Sequence, residues 1–281
     1  MKNEGMSKTM YLLTIKHYLK RSFNKPIELA LMTLLPTGII AINVLMNLHI
    51  MDTQGFETMY ENYDITATAI TMMIMLMFQF MSGVYTGEYI FEDIRGVNRW
   101  RLGAAPVSTA VFVVGAITAS MVFSLFTAAF VLTVGYFFFD IYLGNIGIIA
   151  AITFLAALMS QFWGIIIALF VKAKKSIDGI TIVISFAMSA MVGGFFVNVP
   201  VPAFIQNYIV PTGVALRGIW ATSVYPLRRY NFDRDAYGYI ITDYSLLDIN
   251  ASLISIAILA GITIIFGILA FAIAKAGGRK S

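Results

Sequence analysis

The feature that most restricts this chain is a set of six apolar stretches, at about 27–48, 65–86, 107–138, 146–171, 177–197 and 250–274, separated by charged or turn-rich segments. Each meets the requirement of ~20 residues for a helix to cross ~30 Å of hydrocarbon. Inside a bilayer the backbone N–H and C=O groups find no water, so such stretches cross as helices that close their own hydrogen bonds. Composition agrees: 59% of residues are hydrophobic and 12% charged, whereas soluble domains carry about 25% charged residues. The expectation is an all-α integral membrane protein, a single transmembrane domain over 1–281 with six crossings.

Six crossings put both termini on one side, and the cations say which. Lys and Arg number six in 1–25, three in 88–108, three at Lys172, Lys174 and Lys175, and three at Lys275, Arg279 and Lys280. The opposite loops hold none in 49–64, none in 139–145 and four in 198–249, so fifteen of nineteen cations share a side. Short loops rich in Lys and Arg stay in the cytoplasm, which places both termini there.

Residues 1–25 do not read as a cleavable leader, because Lys16, His17, Lys20 and Arg21 interrupt any apolar core. Tyr11, Leu12, Ile15, Tyr18 and Leu19 instead fill one helical track, with Lys8, Lys16, Lys20, Arg21 and Lys25 supplying charge. This pattern predicts an amphipathic helix on the cytoplasmic membrane surface, its cations near anionic headgroups.

Within the spans (26–197 for the first five), Pro36 should kink the first. Glu28 sits close enough to its inner end to snorkel or pair with Lys25. The second span carries Met72, Met73, Met75 and Met77, then Gln79 and Ser82; flexible thioethers suit core packing or a surface that repacks around varied ligands. Ser160 and Gln161 fall in the fourth span. Thr181, Ser185 and Ser189 recur every four residues in the fifth, aligning small polar groups on one face. Met75, Gln79, Thr181, Ser185 and Ser189 are therefore candidates for a pathway lining or dimer seam, with intramolecular packing as the other reading. Asp178 with Lys174 four residues before it reads as a surface ion pair.

Two segments interrupt this regularity. From Glu88 to Ser108, charged Glu88, Glu92, Asp93, Arg95, Arg99 and Arg101 interleave with Tyr89, Ile90, Phe91, Ile94, Trp100 and Leu102, predicting a cytoplasmic amphipathic helix near 88–104 between spans 2 and 3. Residues 198–249 form the long external segment. Its first half is apolar but broken by Pro200, Pro202 and Pro211, which predicts short re-entrant helices before span 6. Pro202, Ile209, Pro211 and Val214 mark a candidate external gate, and Leu227 to Asp248 reads as an exposed loop. The segment 250–281 supplies the last span and a basic tail.

The chemistry that is missing narrows the function. With no cysteine there is no thiolate nucleophile or ligand, and His17 and His49 stand without a metal-binding pattern. No nucleophile with its base and no mid-span acid or base relay is visible, so neither an enzyme nor an ion-coupled carrier is favoured. No GxxxxGK[ST] loop is present either, so ATP chemistry would have to come from another subunit.

The chain resembles the permease subunit of a bacterial type-2 ABC exporter. The likeness rests on a basic N-terminal interfacial helix, six spans, a cytoplasmic helix between spans 2 and 3, and Pro-broken helices before span 6. It also rests on an ordered pattern of Glu92, Asp93, Gly96, Leu102, Pro106 and Val107; Val97 stands where the family usually has Thr, and the Gly-to-Pro spacing is one residue longer. The resemblance implies two permease copies, or this chain with a close relative, in the bacterial cytoplasmic membrane with two ATPase subunits. Those partners would bind ATP and Mg, leaving no cofactor in this chain. It further implies that Glu92, Asp93, Arg95, Gly96, Arg99, Trp100, Arg101 and Leu102 contact the ATPase, and that an amphipathic or apolar substrate (drug, lipid or peptide) leaves the cell. The competing readings are a carrier or channel without an ATPase, and a membrane sensor or immunity scaffold.

Overall fold

A computed structural model describes residues 2–53, 63–94, 96, 109–192, 201–224 and 248–277. All described elements are helices: α1 Lys2–Phe23, α2 Pro26–Thr53, α3 Tyr63–Met81, α4 Gly83–Ile94, α5 Thr109–Phe139, α6 Ile146–Phe170, α7 Lys174–Ala190, α8 Ala203–Tyr208, α9 Pro211–Trp220 and α10 Ile249–Gly277. Among the described residues, five stretches are long and apolar enough to cross a membrane: Pro26–Met46, Ile65–Asp93, Ala110–Phe139, Ile146–Phe170 and Ile249–Ala274. Helix α7 has 17 residues, a turn short of the usual crossing length.

Helix α6 is the hub, packed against α3, α4, α5, α7, α9 and α10. Its start is set locally, since the Asn145 side chain accepts a hydrogen bond from the Ile148 N–H at 3.2 Å. The main core joins Met72, Met75, Leu76 and Met77 of α3 to Ile148, Ile152 and Met159 of α6 and Val214 and Ile219 of α9. Methionine-rich α3 is thus interior, where unbranched thioethers fill irregular gaps. Of the five stretches, those in α2 and α10 are the least covered, with Leu34, Leu45, Ile264 and Ile268 each about 60% exposed, as suits surfaces facing lipid or another subunit.

Second-span geometry differs from the sequence expectation in two respects. The candidate span runs to Asp93 instead of ending near residue 86, so Glu88, Glu92 and Asp93 lie in the last turns of α4, which continues that span. At 29 residues and ~1.5 Å per residue, the stretch Ile65–Asp93 is ~43 Å long, beyond the ~30 Å of hydrocarbon. Charge is tolerated at that end because cations from α1, α7 and the turn before α2 reach it. The helix is also interrupted at Ser82, where α3 gives way to α4 and the Ser82 N–H reaches both Phe78 O at 3.1 Å and Gln79 O at 3.2 Å.

The opposite end of the bundle is closed by the turn between α5 and α6. Gly144 adopts φ +59°, and a Cβ there would stand 1.9 Å from the carbonyl oxygen of Thr222, just after α9. Only glycine satisfies both the left-handed conformation and that approach. Asp248 N–H, at the start of α10, donates to Ala221 O at 3.1 Å beside it.

Candidate functional site

Side chains from α1, α4, α7 and the start of α2 converge at the charged end. Arg21 pairs with Glu92 and approaches Asp93 at 3.7 Å; Lys25 pairs with Glu28 and reaches Glu88 at 3.3 Å. Lys174 bridges Glu88 at 3.1 Å and Glu92 at 2.5 Å. Three cations therefore face four carboxylates, a net charge of −1.

An uncharged layer lies next to the ions. The Tyr18 phenol donates to Asp93 Oδ2, Ser22 and Tyr89 hydroxyls lie 2.7 Å apart, and the Arg21 guanidinium sits 4.6 Å from the Tyr89 ring centre. Tyr18 is 3% exposed, and this burial first, then the hydrogen bond to Asp93, pushes its phenol well above the usual range. Spacing explains the convergence: Tyr18, Arg21 and Ser22 lie three and four residues apart, as do Glu88, Tyr89 and Glu92, so each set shares one helix face. Because Glu88 is 6% exposed, its two ammonium partners are what make its burial tolerable.

About two turns deeper, the break at Ser82 sits inside a buried polar knot. Ser82 Oγ lies 3.0 Å from the hydroxyls of Ser124 and Ser160 and accepts from Gln161 Nε2 at 3.1 Å. Thr86 Oγ1 donates to Gln161 Oε1 at 2.6 Å, and Ser124 Oγ donates to Gln79 Oε1 at 2.5 Å. Alongside it α4 and α6 cross almost backbone to backbone: a Cβ on Gly83 would stand 2.0 Å from Ser160 O, and one on Gly164 1.9 Å from Gly83 O. Gly83 and Gly87 form a small-xxx-small pair facing Ser160 and Gly164. The sequence reading passed over this pair, although the four-residue spacing was there to be read.

The predicted residues are distributed as follows. Glu92 and Asp93 are engaged within the chain, and Gly96 N–H closes α4 onto Phe91 O at 3.0 Å, with no room for a Cβ, which would stand 2.6 Å from Glu92 O. Arg95, Arg99, Trp100, Arg101 and Leu102 lie outside the described residues. Met75, Gln79, Thr181, Ser185 and Ser189 are all buried within the protomer. Pro202 caps α8, Ile209 ends it at 53% exposure, Pro211 opens α9, and Val214 is in the core. Lys25 does pair with Glu28, but the expected pairing of Lys174 with Asp178 does not form. Lys174 turns to α4 instead, where two carboxylates outcompete one, and Asp178 Oδ1 is buried without a hydrogen-bond partner. Among the described residues, no group of three or more His, Asp or Glu could hold a metal ion.

This arrangement ties the N-terminal helix to α4 and to α7 near the C-terminal end of α4. No curated protein matches the chain. The family described as ABC-2 type transporter matches residues 9–222, a stretch that includes every member of the ionic cluster and the polar knot. With three quarters of its length so matched, this multi-pass membrane chain belongs to the ABC-2 type transporter family, as a permease subunit of a type-2 ABC transporter.

Proposed function

We propose that this chain is the permease of an ATP-driven exporter that moves an amphipathic or apolar substrate out of a bacterial cell. Two permeases, identical or closely related, would work with two cytoplasmic ATPase subunits that bind ATP and Mg. In this reading α7 crosses as well, its 17 residues extended by the apolar residues that follow, which makes six spans with both termini cytoplasmic. The segment 95–108, with Trp100 and Leu102 as apolar anchors and Arg95, Arg99 and Arg101 as charge partners, would seat in the ATPase.

The observation that carries the reading is the ionic cluster. It fastens α1, α2, α4 and α7 together near the C-terminal end of α4, the helix that precedes 95–108 in the chain. Force applied to that segment would move these helices as one body, and the break at Ser82 leaves a joint above them. The sparse interior charge and the many Met and Phe side chains favour an apolar or amphipathic cargo.

The test is the double variant Trp100→Ala with Arg101→Glu in the complex purified with its ATPase. It should insert normally and lose substrate-stimulated ATP hydrolysis; unchanged stimulation refutes the role of 95–108. Flux driven by an ion gradient through the chain alone would support a carrier instead, and a chain that binds the ATPase but moves no substrate would support a sensor.

A further inference from the structure

At the end of the bundle opposite the ionic cluster, α9 carries two hydrogen-bond donors that no described residue satisfies. Arg217 Nη1 and Trp220 Nε1 are both buried and both without a partner. They stand three residues apart, on one face of the helix. Among the described residues the guanidinium has no carboxylate partner, and it lies over the Tyr208 ring, 4.4 Å from Cζ to the ring centre. Asp248, at the start of α10, turns Oδ1 to the Ala251 N–H at 2.9 Å. A guanidinium and an indole N–H are donors only, so no rearrangement between them can satisfy either, and the missing component is an acceptor. Arg217 as a residue is partly exposed, but its Nη1 is buried, and for a buried donor that carries positive charge an anion is the acceptor that also neutralises it.

The surroundings say what carries the anion. No residue of α8 is buried, and Phe204, Ile205, Tyr208 and Ile209 are 66%, 36%, 37% and 53% exposed, with Phe204 stacked on Tyr208 at 5.5 Å. An exposed aromatic and aliphatic rim beside a recessed cation matches the boundary of a bilayer, where rings lie level with headgroups and acyl chains begin below them. Because α9 ends at the closed end of the bundle, against Gly144 and Asp248, Arg217 lies less than two turns from that surface.

We propose that Arg217 and Trp220, with Tyr208 behind the guanidinium, form a binding site for the phosphate of an anionic phospholipid, whose acyl chains lie along α8. This site is separate from the ATPase-facing end and does not depend on the direction or cargo of transport. Occupancy would hold α8 against α9 and satisfy both orphan donors at once.

The full chain, purified in detergent, is to be titrated with phosphatidylglycerol or with diacylglycerol of the same acyl chains, and bound lipid counted by native mass spectrometry. Phosphatidylglycerol should bind and diacylglycerol should not. Arg217→Gln should weaken phosphatidylglycerol binding ~10-fold or more, corresponding to loss of a charge-assisted hydrogen bond. Arg217→Lys should keep most of it, and Trp220→Phe, which removes one donor and no charge, should cost ~3-fold. Trp220→Phe also serves as the reading should Arg217→Gln fail to fold. Inorganic phosphate that displaced the lipid at equal concentration would assign the site to free phosphate and overturn the lipid assignment. Unchanged phosphatidylglycerol binding in both Arg217→Gln and Trp220→Phe, or equal retention of diacylglycerol, overturns the site itself.

Discussion

Replacing Gly83 by alanine tests the crossing of α4 and α6 directly. A Cβ at this position would stand 2.0 Å from Ser160 O, whereas ordinary contact begins at 3.4 Å, so the helices must part by about 1.4 Å or tilt. Either movement stretches the Ser82–Ser160 and Thr86–Gln161 hydrogen bonds, now 3.0 and 2.6 Å, beyond useful range. Overpacking costs ~1–3 kcal/mol. Two interhelical hydrogen bonds add ~0.6 kcal/mol each. Set against these is the ~1 kcal/mol that alanine gains over glycine in a helix, leaving a net destabilisation of ~2 kcal/mol. The comparison is Gly179→Ala in α7, an exposed glycine with nothing within 4 Å of its would-be Cβ, expected to be neutral or stabilising by up to ~1 kcal/mol. Both variants would be unfolded with SDS in mixed micelles and followed by tryptophan fluorescence, Trp163 being adjacent to Gly164 in the crossing. Midpoints for Gly83→Ala and Gly179→Ala that coincide would show that the close approach of these helices does not exist.

Three further outcomes are expected. Lys174→Met should destabilise by ~1–2 kcal/mol, below the ~3–5 kcal/mol of a fully buried broken pair because Lys174 is 38% exposed. A double-mutant cycle with Glu88→Gln checks it, and a coupling energy near zero would refute the bridge. Tyr18 has its phenol pushed up by burial, so its contribution to stability is complete below the unfolded value of ~10 and declines as pH rises through the higher folded value. Unfolding midpoints measured from pH 9 upward should therefore fall less steeply in Tyr18→Phe than in the parent, and identical slopes would refute it. Finally, Ile209→Lys should leave stability within ~0.5 kcal/mol, whereas Val214→Lys, at 0% exposure, should lower it by several kcal/mol or prevent folding. Equal thermal midpoints for the two would contradict the placement of α8 outside and α9 inside.

Much of the helical layout could be read from local pattern. Long apolar runs, the Asn145 cap, and the prolines at 202 and 211 mark where helices start and stop, because length, capping and a fixed φ act over a few residues. The same reading ended the second span too early. It treated Glu88, Glu92 and Asp93 as too polar for that helix, when Arg21, Lys25 and Lys174 make them compatible with it. It likewise gave Lys174 to its nearest acid in the chain, Asp178, when α4 offered two.

Identity as a membrane chain, the number and position of its apolar segments and the charge bias between loops all reside in the order of the residues, since hydrocarbon thickness and hydration act on each segment alone. Tertiary structure decided which carboxylate meets which cation, that Thr181, Ser185 and Ser189 face inward, and that Gly83 meets Ser160. It also left Arg217 Nη1 and Trp220 Nε1 without an acceptor among the described residues. Those outcomes depend on distances between residues far apart in the chain, and helix periodicity carries no information about the face a distant helix will present.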